Sequence, residues 1–215
     1  MLLETLKTHT RRGVTTSPAK ANKQRMVAIP SLGPNDRAML SDLAREAIRS
    51  AVTGSPEPSL QAVPPALEAR AGVFVTLYRH GQLRGCVGTL RDDEPLHVAV
   101  RRIAEAAALQ DGRFDPVGRE EVDELEIEIS VLSPLRPVAR PEEIVVGEHG
   151  VVLECDGYRA VFLPKVAVEH GWSRQILLDQ LCLKAGLPRG AWQDPSARLY
   201  VFTVESWKNG ADHGR

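Results

Sequence analysis

The sequence predicts an α+β fold, an antiparallel or mixed sheet with packed helices, on three observations. Two pairs of β-rich segments are joined by turn dipeptides, His80-Gly81 and Asp156-Gly157, the chemistry of tight hairpins. Leu125, Ile127, Ile129 and Val131 alternate with Glu126, Glu128 and Ser130, the period-two pattern of a half-buried strand. Helical periodicities fall between groups of strands instead of after every strand, which argues against a doubly wound parallel sheet.

Taken in order, Leu40, Leu43, Ala44, Ala47, Ile48 and Ala51 recur at helical spacing, so a helix is expected over residues 36–52 with Ser31 or Asn35 as its cap. Pro56, Pro58, Pro64 and Pro65 then exclude a continuing helix, because proline lacks the N–H and fixes φ. Residues 73–78 are β-branched and aromatic, and after His80-Gly81 a second strand is expected over residues 82–90. Pro95 suits the first position of a helix reaching about residue 110. Ala99, Val100, Ile103 and Ala107 form its inner stripe, and Arg101 and Glu105 have i,i+4 spacing for an outer ion pair.

The acidic run at residues 120–124 reads as a solvated surface before the alternating strand. Pro134, Pro137 and Pro141 mark a connection to the second hairpin, residues 151–155 and 158–163. Pro164 starts a short helix. Ser173 caps a longer one closed by Gly186, and Ile176, Leu177, Leu178, Leu181, Cys182 and Ala185 make it apolar around much of its circumference, as a central helix would be. Residues 199–204 read as a last strand, and residues 208–215 as a polar end.

Length and composition narrow the function classes. The 215 residues are 43% hydrophobic and 26% charged, the balance of an ordinary globular chain. The net charge is only -1, which by itself indicates neither a nucleic-acid nor a membrane partner. Residues 1–30 differ: Lys7, Arg11, Arg12, Lys20, Lys23 and Arg25 stand against Glu4, a local charge of +5. That segment is expected to be a disordered tail and is the one place from which RNA binding is argued. Cys86, Cys155 and Cys182 are an odd set without metal-type spacing, which fits a reducing cytoplasm. The absence of a spanning apolar run fits the same location. No phosphate-binding loop, dinucleotide fingerprint, HExxH or nucleophile-elbow motif is present. The sequence assigns no metal and no cofactor.

The segment Leu83-Arg84-Gly85-Cys86-Val87-Gly88-Thr89 stands out because it places a thiol between two glycines in a strand. Strict alternation would put Arg84 and Cys86 on one face, where a guanidinium favours the thiolate. Gly85 and Gly88 would clear space around the sulfur. If the alternating strand lay beside this one, Glu126 or Glu128 would meet Arg84 and complete a charged floor. A packed apolar cysteine explains Cys86 as well by residue type, and the segment alone leaves both readings open. Among the histidines, His97 is the first to follow Cys86 in the sequence, eleven residues on.

With GVFVTLYRHGQ before it, DGRFDPV and LEIEISVLSP after it, and VFLPKVAVEHGWSRQILLDQLCLKAGLPRGAW and RLYVFTVESW near the end, the segment LRGCVGTL resembles the AmmeMemoRadiSam system protein A family, the AMMECR-type domain. The resemblance covers residues 32–207. It implies a domain at 31–207 with two lobes around a cleft lined by the LRGCVG motif, and partnership with Memo-type and radical S-adenosylmethionine proteins. Carried over residue by residue, it points to Cys86 as nucleophile or thiol ligand and Glu128 as acid/base. Arg84, Gly85, Gly88, Arg113 and Phe114 become substrate-binding candidates. A non-catalytic adaptor is the competing reading.

Overall fold

The structure, a computed structural model, describes residues 31–209; the basic segment 1–30 and the residues after 209 lie outside it. In chain order the elements are α1 (Pro34–Thr53), β1 (Val73–Arg79), β2 (Gln82–Thr89), α2 (Leu96–Leu109), β3 (Leu125–Leu132), β4 (Arg136–Val138), β5 (Gly150–Cys155), β6 (Tyr158–Phe162), α3 (Pro164–Glu169), α4 (Arg174–Ala185), β7 (Arg198–Phe202) and β8 (Val204–Asn209). Among the described residues they build two four-stranded sheets, ordered β2-β1-β3-β8 and β4-β7-β5-β6. The pairs β1/β2, β1/β3, β4/β7, β5/β6 and β5/β7 all run antiparallel. The α+β class is therefore as the sequence predicts. The described chain divides into two compact units, residues 31–134 with 205–209, and residues 135–204.

In the first unit, the β1/β2 hairpin turns on His80 at φ 51° and Gly81 at φ 74°, two successive left-handed residues that match the twist of the strands they join. Val73, Val75 and Leu77 of β1 and Leu125, Ile127, Ile129 and Val131 of β3 are buried with Leu40, Ala44 and Ile48 of α1 and Val100, Ile103 and Ala107 of α2 in one core. Both helices thus cover one face of the sheet. The opposite face carries Thr76 paired with Glu128, and Phe74 paired with Ser130. Arg45 of α1 donates to the carbonyls of Val122 and Leu125 at 2.9 and 2.8 Å, tying the helix to the entry of β3.

Local details differ from the sequence reading where tertiary partners intervene. The cap of α1 is Gly33, whose N–H donates to Asp36 at 2.9 Å, in place of Ser31 or Asn35. Arg101 lies 2.9 Å from Glu57 in the proline-rich connection, so the outer face of α2 is paired across the chain.

In the second unit, α4 has the expected cap, with Ser173 accepting from the Ile176 N–H, and closes on Gly186 at φ 83°. Leu177, Leu178, Leu181 and Cys182 are buried against the sheet, but Ile176 is 44% exposed. The helix is one-sided and not central. A short edge strand, β4, passes through Pro137, which an edge tolerates because one side of the strand needs no donor. The expected strand at 199–204 is two elements: residues 199–202 are most of β7, and Val204 opens β8, which lies in the sheet of the first unit.

Candidate functional site

β2 is an edge strand of its sheet, and its register with β1 carries the site's main surprise. Leu77 pairs with Gly85, but Tyr78 pairs with Leu83, so Arg84 is an extra residue in a β-bulge. A bulge shifts the alternation by one. Arg84 and Cys86 therefore do not share a face.

The Arg84 guanidinium is held by Glu121 in a two-pronged pair, Nε to Oε1 and Nη2 to Oε2, both 2.9 Å. It also donates from Nη1 to the Asp115 carbonyl at 2.9 Å and from Nη2 to the Pro116 carbonyl at 3.3 Å. Glu121 further accepts from Arg79 at 2.9 Å and from the Gly118 N–H at 2.7 Å. It is only 8% exposed, although the acidic run it belongs to reads as solvated. The Arg84 hydrogen bonds lead in drawing its carboxyl down to about 2, with the Gly118 N–H and the two arginine charges adding to them against the opposing effect of burial. This is the pattern of a carboxylate bound by charge-assisted donors.

Cys86 is placed from two sides. Its backbone N–H donates to Asp111 Oδ2 at 2.8 Å, and its carbonyl accepts from Arg113 Nη2 at 3.2 Å. Asp111 and Arg113 are themselves an ion pair, with Arg113 Nε 2.7 Å from Asp111 Oδ1. On the outer edge of β2 this pair supplies the acceptor and donor that a neighbouring strand would supply. The Arg113 guanidinium lies 5.2 Å from the centroid of the Phe114 ring. Asp111 escaped the sequence reading; its signal was the DGRF turn directly after α2.

On the sheet face away from the helices, the Cys86 sulfur lies 3.3 Å from Thr76 Oγ1. Thr76 is in turn the β1 partner of Glu128. Cys86, Thr76 and Glu128 form one row across β2, β1 and β3. Since β1 lies between the other two strands, the backbones carrying Cys86 and Glu128 are about 10 Å apart, twice the strand spacing. Glu126 is one row away, with Lys208 Nζ at 3.5 Å, and does not meet Arg84.

Neither glycine clears room for the sulfur. A Cβ at Gly85 would collide with the Ala107 carbonyl of α2, and one at Gly88 with the Phe74 ring. Both positions need hydrogen for close approach of their own neighbours. His97 lies 3.6 Å from Glu68, on a helix covering the sheet face opposite the thiol, so the structure does not bring it to Cys86. Among the described residues no cluster of His, Cys, Asp and Glu could hold a metal ion, and no helix is long and apolar enough to cross a membrane.

The fold and the site define an α+β protein in which a sheet carries a thiol whose backbone is fixed by side chains from the segment after a packed helix. The AMMECR1 family pattern matches residues 41–207, and this chain belongs to that family. A protein of Thermococcus gammatolerans is 41% identical over 184 residues, covering 80% of this chain and 89% of its own. A protein of Methanothermobacter thermautotrophicus is 38% identical, with 81% and 94% covered. The crystal structure of the uncharacterised protein PH0010 from Pyrococcus horikoshii superposes with a TM-score of 0.75 at 38% identity, over 80% of this chain and 90% of that one.

Proposed function

We propose that this protein is a component of a multi-protein modification system, acting with Memo-type and radical S-adenosylmethionine proteins. It binds the system's substrate through the Cys86-bearing face of its first sheet, and the thiol is the contacting group. One observation carries this reading: Asp111 and Arg113 grip Cys86 by both its N–H and its carbonyl. A side chain projecting from a strand fixed in this way holds its position without further ordering, which is what a binding or reacting group requires. Arg84 supports the site from behind through Glu121. Glu128, in the same row as the thiol, is the acid or base in this reading, for a ligand long enough to span both.

The test is affinity purification from the native host, wild type beside Cys86→Ala, with mass spectrometry of proteins and small molecules. A small molecule lost from the variant while protein partners remain is the expected result. Loss of protein partners alone would instead make the chain an adaptor, and identical profiles would overturn the reading. Alkylation of the folded wild type near neutral pH gives a second measurement. Cys86 should react well before Cys155 and Cys182, which are 4% and 0% exposed, the Cys182 thiol being pushed up by burial.

A further inference from the structure

Position 76 is unusual for its strand. Its neighbours Val73, Phe74, Val75 and Leu77 are apolar and buried, and Thr76 itself is 3% exposed. Valine would fill the same volume, favour the strand equally and bury no hydroxyl. A hydroxyl retained there must be satisfied, because a buried polar group without a partner is costly. The partner is the sulfur of Cys86, at 3.3 Å. The pairing follows from the ladder: the Cys86 N–H and carbonyl both face Asp111 and Arg113, so Cys86 and Thr76 form a pair not bonded through their backbones. In such pairs the side chains come closest.

We infer that Thr76 is a positioning residue for the Cys86 thiol: its buried hydroxyl fixes the direction of the sulfur and donates a hydrogen bond to it when it reacts. The inference rests on the reading of Cys86 as the contacting thiol and names the group that prepares it. Three side chains then act on one residue, Asp111 and Arg113 through the backbone and Thr76 through the sulfur. A donor to sulfur favours thiolate over thiol. It also makes that thiolate a somewhat weaker nucleophile, so the two effects on rate partly cancel.

The experiment measures alkylation of Cys86 by iodoacetamide in the folded full chain, followed by peptide mass spectrometry, for wild type, Thr76→Val and Thr76→Ser. In this probe reaction the sulfur forms a bond to the methylene carbon, iodide leaves with the electron pair of the broken bond, and the thiol proton passes to solvent. Val keeps the shape and loses the hydroxyl; Ser keeps the hydroxyl and loses the methyl. A positioning hydroxyl predicts that Thr76→Val slows alkylation roughly threefold, the part left after the partial cancellation, while Thr76→Ser stays near wild type. A packing role predicts the reverse order, with Ser the more perturbed. Reactive wild type with equal rates in both variants, or with Ser the slower, overturns the inference and leaves the reading of Cys86 standing. A wild-type Cys86 that does not react overturns the reading itself.

Discussion

Arg84 shows how far a residue's position can redirect its chemistry. On a regular strand it would stand beside the thiol; as the extra residue of a bulge its guanidinium is closed by Glu121 and two carbonyls. Its charge is therefore committed to the fold through Glu121. Breaking such a pair leaves a partly buried charge without its partner, which is more damaging than the net value of the pair. Arg84→Glu sets a carboxylate against Glu121 and should destabilise the first unit by about 3 kcal/mol, seen as a lower urea midpoint, before any effect on binding. The Glu121 side gives a pH signature. A carboxyl held at about 2 in the fold against an ordinary 4.5 stabilises fully above about 4.5 and loses that contribution as pH falls towards 2. Wild-type stability should fall more steeply between those values than that of Glu121→Gln, while at pH 7 the variant is less stable by roughly 3 kcal/mol at most. Parallel melting curves across that window would rule out the assignment.

At the scale of elements, what was legible in the sequence is what local periodicity controls. Both hairpins, the buried residues of β3, and the cap and end of α4 follow from alternation, turn dipeptides and a Ser–Gly bracket around a helix. What was not legible depends on partners distant in the chain. No local pattern says that Arg84 is a bulge, that Glu121 lies inside an otherwise solvated acidic run, or that Gly85 exists to admit the Ala107 carbonyl of α2. The two glycines can be told apart by mutation. Gly85→Ala drives a methyl into helix backbone, which cannot step aside, and should cost about 3 kcal/mol, the upper end for overpacking. Gly88→Ala drives a methyl into the buried Phe74 ring, a side chain that can give more than helix backbone, and should cost less, about 2 kcal/mol. Chemical denaturation of the two variants checks the order, and a larger loss at Gly88 would mean that Phe74, not α2, sets the spacing around β2.

The whole molecule is organised by a chain that leaves its first unit after Pro134, builds a second around its own core, and returns at Glu205. The return is anchored residue by residue. Trp207 Nε1 donates to Ser41 Oγ at 3.0 Å, Arg37 pairs with Glu205 at 2.5 Å, and the Ser206 and Ser130 hydroxyls are 2.8 Å apart. These contacts join α1, β3 and β8, so β8 closes one edge of the sheet whose opposite edge strand, β2, carries Cys86. Ser130 is 1% exposed, and removing its partner leaves a buried hydroxyl to be satisfied anew. A chain ending at Phe202 should therefore lose stability in the first unit, with faster amide exchange along β3 and α1, although every residue of the LRGCVG segment is intact. A chain ending at Asn209 keeps all of these bonds and should retain the protection of β3 and α1 that the shorter chain loses. If the shorter chain protects β3 and α1 as well as the longer one does, β8 is an accessory strand, and the sheet bearing the thiol is complete with β1, β2 and β3 alone.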